Sequence, residues 1–262
     1  METTTTRARR LLAARDSGAT LPPLTDADPG FDLAAGTAVS AEITRLRADR
    51  GERMVGRKIG FTNRRLWEEY GVHAPIWGPV WDSTCHDAAA PLPLDGLNEP
   101  KIEPEIIFRI GATPRPGLAP EALLACLSGL AFGFEVVTSP FPGWRFRPAD
   151  TVACGALHGA LLPGGFHPVA PLARQLDGFR VTLWCNGAVA GHGDSSDVMT
   201  HGPLAALAHL VELLAEEGSP PLAPGEMVST GSLTRAFDVA PGQVWRAELD
   251  GLDLPPAEAR FA

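Results

Sequence analysis

The stretch 99–110, EPKIEPEIIFRI, constrains the fold more than any other part of the chain. Its apolar run is that of a strand, in which residues i and i+2 share a face, so Glu103 and Glu105 project together at the mouth of that run. Two like charges side by side repel, and a sequence that specifies this usually supplies a cation to hold them. A divalent metal with oxygen ligands is one way to do so. A solvated edge strand with alternating glutamates is the other reading of the same pair.

The rest of the chain bears on that choice. With 262 residues it has room for one large domain, or for a small unit attached to a larger one. Apolar residues make up 45% and charged residues 20%, ordinary globular usage. The net charge of −9 argues against nucleic acid and against an anionic membrane as partners, since both require a basic face. An anionic substrate is compatible with that charge only where a local cation receives it. Cys85, Cys126, Cys154 and Cys185 are scattered and form no C-x-x-C pair, which fits reduced thiols in a cytoplasmic protein. The N-terminal basic residues Arg7, Arg9 and Arg10 precede an apolar run too short for a signal peptide. No run approaches the ~18 apolar residues of a membrane span.

A helix is expected within residues 1–20, ended by Pro22 and Pro23. A second one covers 40–50, with Ser40 as N-cap and Ile43 and Leu46 on one face that Arg47 and Arg50 continue. Residues 54–61 read as a strand carrying Lys58, and Thr62 with Asn63 would cap a short helix through 65–67, ended by Gly71. Residues 91–100 are a proline-punctuated linker. Helical spacing over 121–130 runs into a buried strand over 129–137 that contains Glu135. The prolines of 141–148 dictate a loop. Strands follow at 156–162, 179–186 and 188–190, the last two joined by Asn186-Gly187 as a tight hairpin. Residues 203–216 form an amphipathic helix, and strands at 226–233, 237–239 and 243–249 close the chain. Strands without regular helix alternation exclude a doubly wound sheet and favour a mostly β domain fronted by a smaller helical segment.

Glu135 lies in an apolar strand where a lone carboxylate is costly, so it either reaches water or has a cation. Together with Glu103 and Glu105 it describes a magnesium or manganese site with open positions that a chelating substrate completes. Lys58 and Lys101 are available to seat the anion. The cluster His192, Asp194, Asp197 and His201 looks like a second metal site but occupies a glycine-rich turn, where loop hydrogen bonding and helix capping account for it. Gly187, Gly191 and Gly193 do not follow a dinucleotide-binding order. His73 and His86 flank Ile76 and Trp77 near the inferred cleft and are the better histidine candidates for acid–base work, against an ordinary surface or core role. Trp67, Trp77, Trp81 and Trp144 are candidates to line a pocket or to fill the core.

The segments 56–62 (GRKIGFT), 70–78 (YGVHAPIWG), 100–105 (PKIEPE), 134–137 (FEVV) and 229–235 (STGSLTR) stand in an order that resembles a known group. It is the 2-keto-4-pentenoate hydratase and 2-oxo-3-hexenedioate decarboxylase group of the fumarylacetoacetate hydrolase superfamily. The resemblance runs from about Val55 to the C-terminus. It implies an α+β fold, with residues 1–90 as a mainly helical N-terminal segment packing on a mixed β-roll catalytic domain at 91–262. It also implies a divalent metal, magnesium first and manganese second, on Glu103, Glu105 and Glu135. Lys58 would act beside the substrate, with His73 as a second catalytic group and Lys101, Trp77, Ser232 and Arg235 as substrate-binding residues. The substrate class is a small 2-oxo acid, the reaction hydration of a 2-hydroxydienoate, and the assembly a homo-oligomer that associates with a related hydratase or decarboxylase.

Departures from the group's pattern keep other reactions in view. Hydratases of the group usually carry an acidic residue where this chain has Ile76, and both Ile76 and Lys101 look more like the decarboxylase branch. The 231–235 segment is instead similar to a hydratase of dicarboxylic dienoates, with Arg235 facing a distal carboxylate. Asp150-Thr151-Val152-Ala153 loses two polar groups of the family pattern, and His201-Gly202-Pro203 moves a histidine by one position. The alternatives are decarboxylation of a 2-oxo-enedioate, hydrolysis of an acylpyruvate C–C bond, and an inactive metal-binding partner subunit.

Overall fold

The structure, a computed structural model, describes residues 2–64 and 67–262. Three helices open the chain: α1 (Thr4–Ser17), α2 (Leu24–Ala27) and α3 (Leu33–Asp49). The side chain of Thr3 caps α1, and Gly18 ends it in the left-handed region at φ +68°. Helix α3 starts well before the expected Ser40, because Asp32 supplies the cap by accepting from Ala35 N at 2.9 Å. Its first turns are dictated by packing: a Cβ on Gly36 would lie 2.5 Å from the Ala149 carbonyl oxygen. Helix propensity around a glycine is poor, and burial of Val39 beside Ala8, Leu11 and Phe31, with this close approach to Ala149, offsets it. Arg47, which continues the Ile43 and Leu46 face, is buried. Its guanidinium lies 4.9 Å over the Trp81 ring and bonds Glu52 and Ser83.

Seven strands form one mixed sheet. They are β1 (Met54–Gly60), β2 (Ile76–Trp81), β3 (Lys101–Ile110), β4 (Leu127–Val137), β5 (His158–Leu162), β8 (Met227–Ser229) and β9 (Phe237–Asp238). The order is β2-β1-β8-β3-β4-β5, with β9 paired to the start of β3. All pairs are antiparallel except β1 with β8. The strands β1 and β2 therefore belong to the sheet, and the boundary expected at residue 90 does not separate helices from strands. The short α4 (Trp67–Tyr70) lies in the β1–β2 connection; residues 65 and 66 of the helix expected there fall outside the described residues.

A second, antiparallel sheet has the order β11-β10-β6-β7, from β6 (Arg180–Cys185), β7 (Ala188–Asp194), β10 (Val244–Asp250) and β11 (Ala257–Arg260). Asn186 (φ +50°) and Gly187 (φ +81°) make the expected hairpin turn between β6 and β7. Helix α7 (Pro203–Glu216) matches the expected span. Its Leu207, Leu210 and Leu214 join one core with Ile102, Ile106 and Phe134 of the first sheet and Leu183 and Trp245 of the second.

Two local expectations change. The helical spacing at 121–130 yields only α5 (Pro120–Ala125), because Leu127 already pairs with Ile110 and the ladder claims the following residues. Residues after the 141–148 loop form α6 (Pro148–Ala153), stabilised by Asp150, whose carboxylate accepts from Thr25 N, Thr25 Oγ1 and Arg147 N. Asp150 thus ties α6 to α2. Among the described residues, no helix is long and apolar enough to cross a membrane.

Candidate metal centre and active site

The face of β3 opposite the main core carries Lys101, Glu103 and Glu105 in alternation, while Ile102 and Ile106 are fully buried on the core side. In the β3–β4 ladder Glu103 pairs with Glu135 and Glu105 with Gly133, so the three carboxylates share that face. One carboxylate oxygen of each lies within 4.8 Å of the others, and this is the one such group among the described residues. Strand β8 enters between β1 and β3, bringing Ser229 and Gly231 to Glu105 from more than a hundred residues away in sequence.

Glu105 is fully buried. Its Oε2 accepts from Ser229 Oγ at 2.5 Å and from Gly231 N at 2.8 Å, whereas its buried Oε1 has no hydrogen-bond donor. Gly231 is obligatory here: its φ is +101°, and a Cβ would fall 1.9 Å from Thr62 Oγ1. Glu135, also fully buried, holds His158 Nδ1 at 2.8 Å on Oε1 and faces Lys58 Nζ at 3.1 Å with Oε2. Burial above all, with the neighbouring carboxylates adding to it and Lys58 opposing it, pushes both Glu103 and Glu105 up to about 8. Glu135 is raised as well, by burial above all. For Lys58 burial is the largest influence and lowers it, but Glu135, Glu103 and Glu105 together outweigh burial and hold it protonated above the ordinary lysine value. A proton shuttle would need the opposite shift, so the three carboxylates exceed the positive charge that Lys58 brings to them.

This donor set fits a hard dication. The three groups are all carboxylates, two of their buried oxygens, Glu105 Oε1 and Glu135 Oε2, lack a hydrogen-bond partner, and like charges are held together at an electrostatic cost that an ion would remove.

A cavity of about 270 Å³ opens over Glu103 and Lys58 and is walled by Thr62, Asn63, Trp144, Ser232 and Arg235. Lys101 and Trp144 also border an adjoining opening, placing them at its mouth. Lys101 is already paired with Asp238 at 3.1 Å and lies 5.1 Å from the Trp144 ring centre. Arg235 stacks over Phe237 and, among the described residues, has no carboxylate within ion-pair distance. Lys58, Lys101, Ser232 and Arg235 are therefore brought together around this cavity.

Two expected residues are not. Trp77 pairs with Ile59, on the face of the sheet opposite Lys58, where its indole N–H donates to Glu217 at 2.9 Å and Arg57 lies 5.4 Å over its ring. Strand alternation alone sends it there. His73 is exposed in the β1–β2 connection and does not line the cavity. His86 is likewise absent from the cavity wall, and Trp81 is buried beneath Arg47. The turn at 192–201 serves local bonding: Asp194 caps by accepting from Ser196 N, Asp197 accepts from Asp194 N, and His192 meets Thr182.

Sequence reasoning missed His158, Thr84 and Arg15. His158 is a lone histidine in an apolar strand, 23 residues from Glu135, and nothing in its spacing marks it.

No protein-family model matches the chain. It is 34% identical over 250 residues to the 2-hydroxyhexa-2,4-dienoate hydratase of Comamonas testosteroni, covering 94% of both chains. Its structure superposes on that of the 4-oxalocrotonate decarboxylase from Pseudomonas putida G7, complexed with magnesium and adipate, with a TM-score of 0.92 at 28% identity, over 100% of this chain and 99% of that one. A protein from Yersinia pestis CO92 assigned to the fumarylacetoacetate hydrolase family shares the fold alone, at a TM-score of 0.56 and 16% identity over 79% of this chain and 93% of that one. The carboxylate-lined mixed sheet and these likenesses along nearly the whole chain make it a member of the 2-keto-4-pentenoate hydratase and 4-oxalocrotonate decarboxylase family, built on the fumarylacetoacetate hydrolase fold.

Proposed function

We propose that the protein is a divalent-metal-dependent lyase that hydrates a 2-hydroxydienoate to a 4-hydroxy-2-oxo acid. The observation that carries this reading is the cluster of Glu103, Glu105 and Glu135, with Lys58 paired to Glu135, beneath a cavity that Glu103 and Lys58 line and whose walls hold Ser232 and Arg235. A dication on Glu103, Glu105 and Glu135, magnesium before manganese, would supply Lewis acidity toward the keto oxygen of a 2-oxo acid. Lys58 is the ammonium nearest that floor and stabilises oxygen charge as the substrate moves between enol and keto forms. Once the three carboxylates are neutralised, the burial that lowers Lys58 is no longer opposed, which suits it to passing a proton. Ser232 Oγ accepts from Thr234 N and keeps its own proton for a ligand. The rings of Trp144 and Phe146 exclude water from the same space.

A second reading, decarboxylation of a 2-oxo-enedioate, is favoured by Ile76 and Arg235. Ile76 pairs with Gly60, on the Lys58 face of the sheet, and offers no acid there. Arg235 supplies a cation for a second carboxylate. Following dienoate absorbance with magnesium and then with chelator tests both readings, and the absence of metal-dependent turnover of any 2-oxo-enoate overturns them. Released CO2 from a 2-oxo-hexenedioate selects the second.

We also read the protein as a cytoplasmic homo-oligomer. Its four cysteines are free, and the edge strand β7 leaves Val189 56% exposed. Light scattering on the eluted protein checks the assembly, and a monomer at micromolar concentration excludes it.

A further inference from the structure

We infer that His158 is a positioning residue for the metal centre: it locks one oxygen of Glu135, and is itself held by Thr84 and, through the backbone, by Arg15 of the N-terminal helix α1. The inference rests on the reading of Glu103, Glu105 and Glu135 as metal ligands.

The β4–β5 ladder shifts register between Val136 and Val137, so that Val136 pairs with Ala160 and Val137 with His158. In a regular strand His158 would share the face of Ala160, which belongs to the main core. The bulge turns it instead onto the face of the carboxylates, where its Nδ1 meets Glu135 Oε1 at 2.8 Å. Its other nitrogen lies 2.9 Å from Thr84 Oγ1, which accepts from Trp81 N at 3.1 Å. Both ring nitrogens are thereby used, and the ring is 2% exposed. Burial, with Arg15 and Lys58 adding to it, keeps the imidazole neutral. A neutral ring satisfies both contacts when Nδ1–H donates to Glu135 and Nε2 accepts from the Thr84 hydroxyl, whose one proton then turns from the Trp81 carbonyl oxygen, 3.1 Å away, to the ring.

Arg15 completes the arrangement. Its guanidinium donates to the carbonyl oxygens of His158 and Gly159, the latter at 3.0 Å, at the bulge of the sheet's last strand. Burial lowers Arg15 to about 10, which leaves it a cation at neutral pH. A helix that contributes no ligand thus fixes the backbone from which His158 reaches Glu135. With Oε1 engaged, Oε2 stays turned toward Lys58 and the other glutamates. Locking a ligand in its binding orientation raises affinity by removing freedom that binding would otherwise have to remove.

The test is magnesium affinity, read by titration calorimetry on the full-length protein and checked by near-ultraviolet circular dichroism for folding. His158→Phe removes both ring contacts, and the expected result is a Kd about 10–100-fold weaker, the range for lost partners of metal ligands. His158→Asn keeps a donor near the Nδ1 position and is expected to retain most of the affinity. Arg15→Met, which removes bonds to the backbone of His158 and Gly159 and none to a carboxylate of the cluster, weakens binding several-fold and covers the case in which His158→Phe does not fold. Unchanged magnesium affinity in folded His158→Phe, or in Arg15→Met if the former does not fold, overturns the inference. Equal losses in the Asn and Phe variants also overturn it, in favour of a packing role. Failure of the unaltered protein to bind magnesium overturns the metal reading itself, and this inference with it.

Discussion

Glu103 and Glu135 are direct register partners across the antiparallel β3–β4 ladder, two carboxylates side by side on one face of the sheet. Like charges placed opposite one another destabilise a strand pair, and here Glu105 and burial add to the cost. Lys58 offsets part of it. The remainder is what a dication relieves, so the same geometry that binds the ion weakens the protein without it.

That balance has a pH signature. Glu103 and Glu105 are raised in the folded protein from 4.5 to about 8. A raised carboxylate contributes stability that is full below its unfolded value and disappears as pH rises through its folded one. In chelator, the Tm should therefore fall between about pH 5 and pH 9, and added magnesium should restore it most at the alkaline end. A Tm that stays level or climbs through that interval would contradict the electrostatics described.

Lys58→Met should separate catalysis from binding. Loss of a group that carries a proton or stabilises charge typically costs about 10²–10⁴ in rate. Removing a cation from beside three carboxylates should leave magnesium affinity equal or tighter. Steady-state kinetics and calorimetry check this together, and a variant that loses turnover, metal and Tm in parallel would mark Lys58 as structural.

At Gly231 the backbone and the site make one demand. Gly231→Ala should destabilise by at least about 1–3 kcal/mol from backbone strain, with the Thr62 contact adding to it. It should also weaken magnesium binding by disturbing the N–H that Glu105 accepts. Gly117 has φ +75° and open space, so Gly117→Ala isolates the backbone cost. Equal urea midpoints for the two variants would remove the steric argument.

Arg235 and Lys101 should differ as specificity residues. A charged hydrogen bond is worth roughly 1.5–3 kcal/mol, so Arg235→Leu should lower kcat/KM for a dicarboxylic 2-oxo-enoate by about 10–100-fold and leave a monocarboxylic one nearly unchanged. Lys101→Met should have the smaller effect, since Asp238 already neutralises Lys101. Parallel losses on both substrates would remove Arg235 from distal recognition.

Much of this was legible before any coordinates. The period-two pairing of Glu103 and Glu105, the Asn186-Gly187 hairpin and the helix at 203–216 follow from local rules that tertiary packing left intact. Helix α3 and the start of β4 differ at their ends from what local spacing dictates, because Gly36 against Ala149 and Leu127 against Ile110 are tertiary contacts that no local window contains. Trp77 shows a subtler limit: its proximity in sequence to site residues says nothing about which face of the sheet its strand alternation gives it.

By itself the sequence determined the chemistry available: three carboxylates in strands, a lysine in a G-x-K-x-G strand, and a serine and an arginine in the segment after the last long helix. Only the tertiary structure decided how these meet. The insertion of β8 between β1 and β3 delivers Ser229 and Gly231 to Glu105, and a bulge in β5 turns His158 from the core onto Glu135. Strand order and register are global properties, set by which apolar faces can be buried together, and no local spacing encodes them.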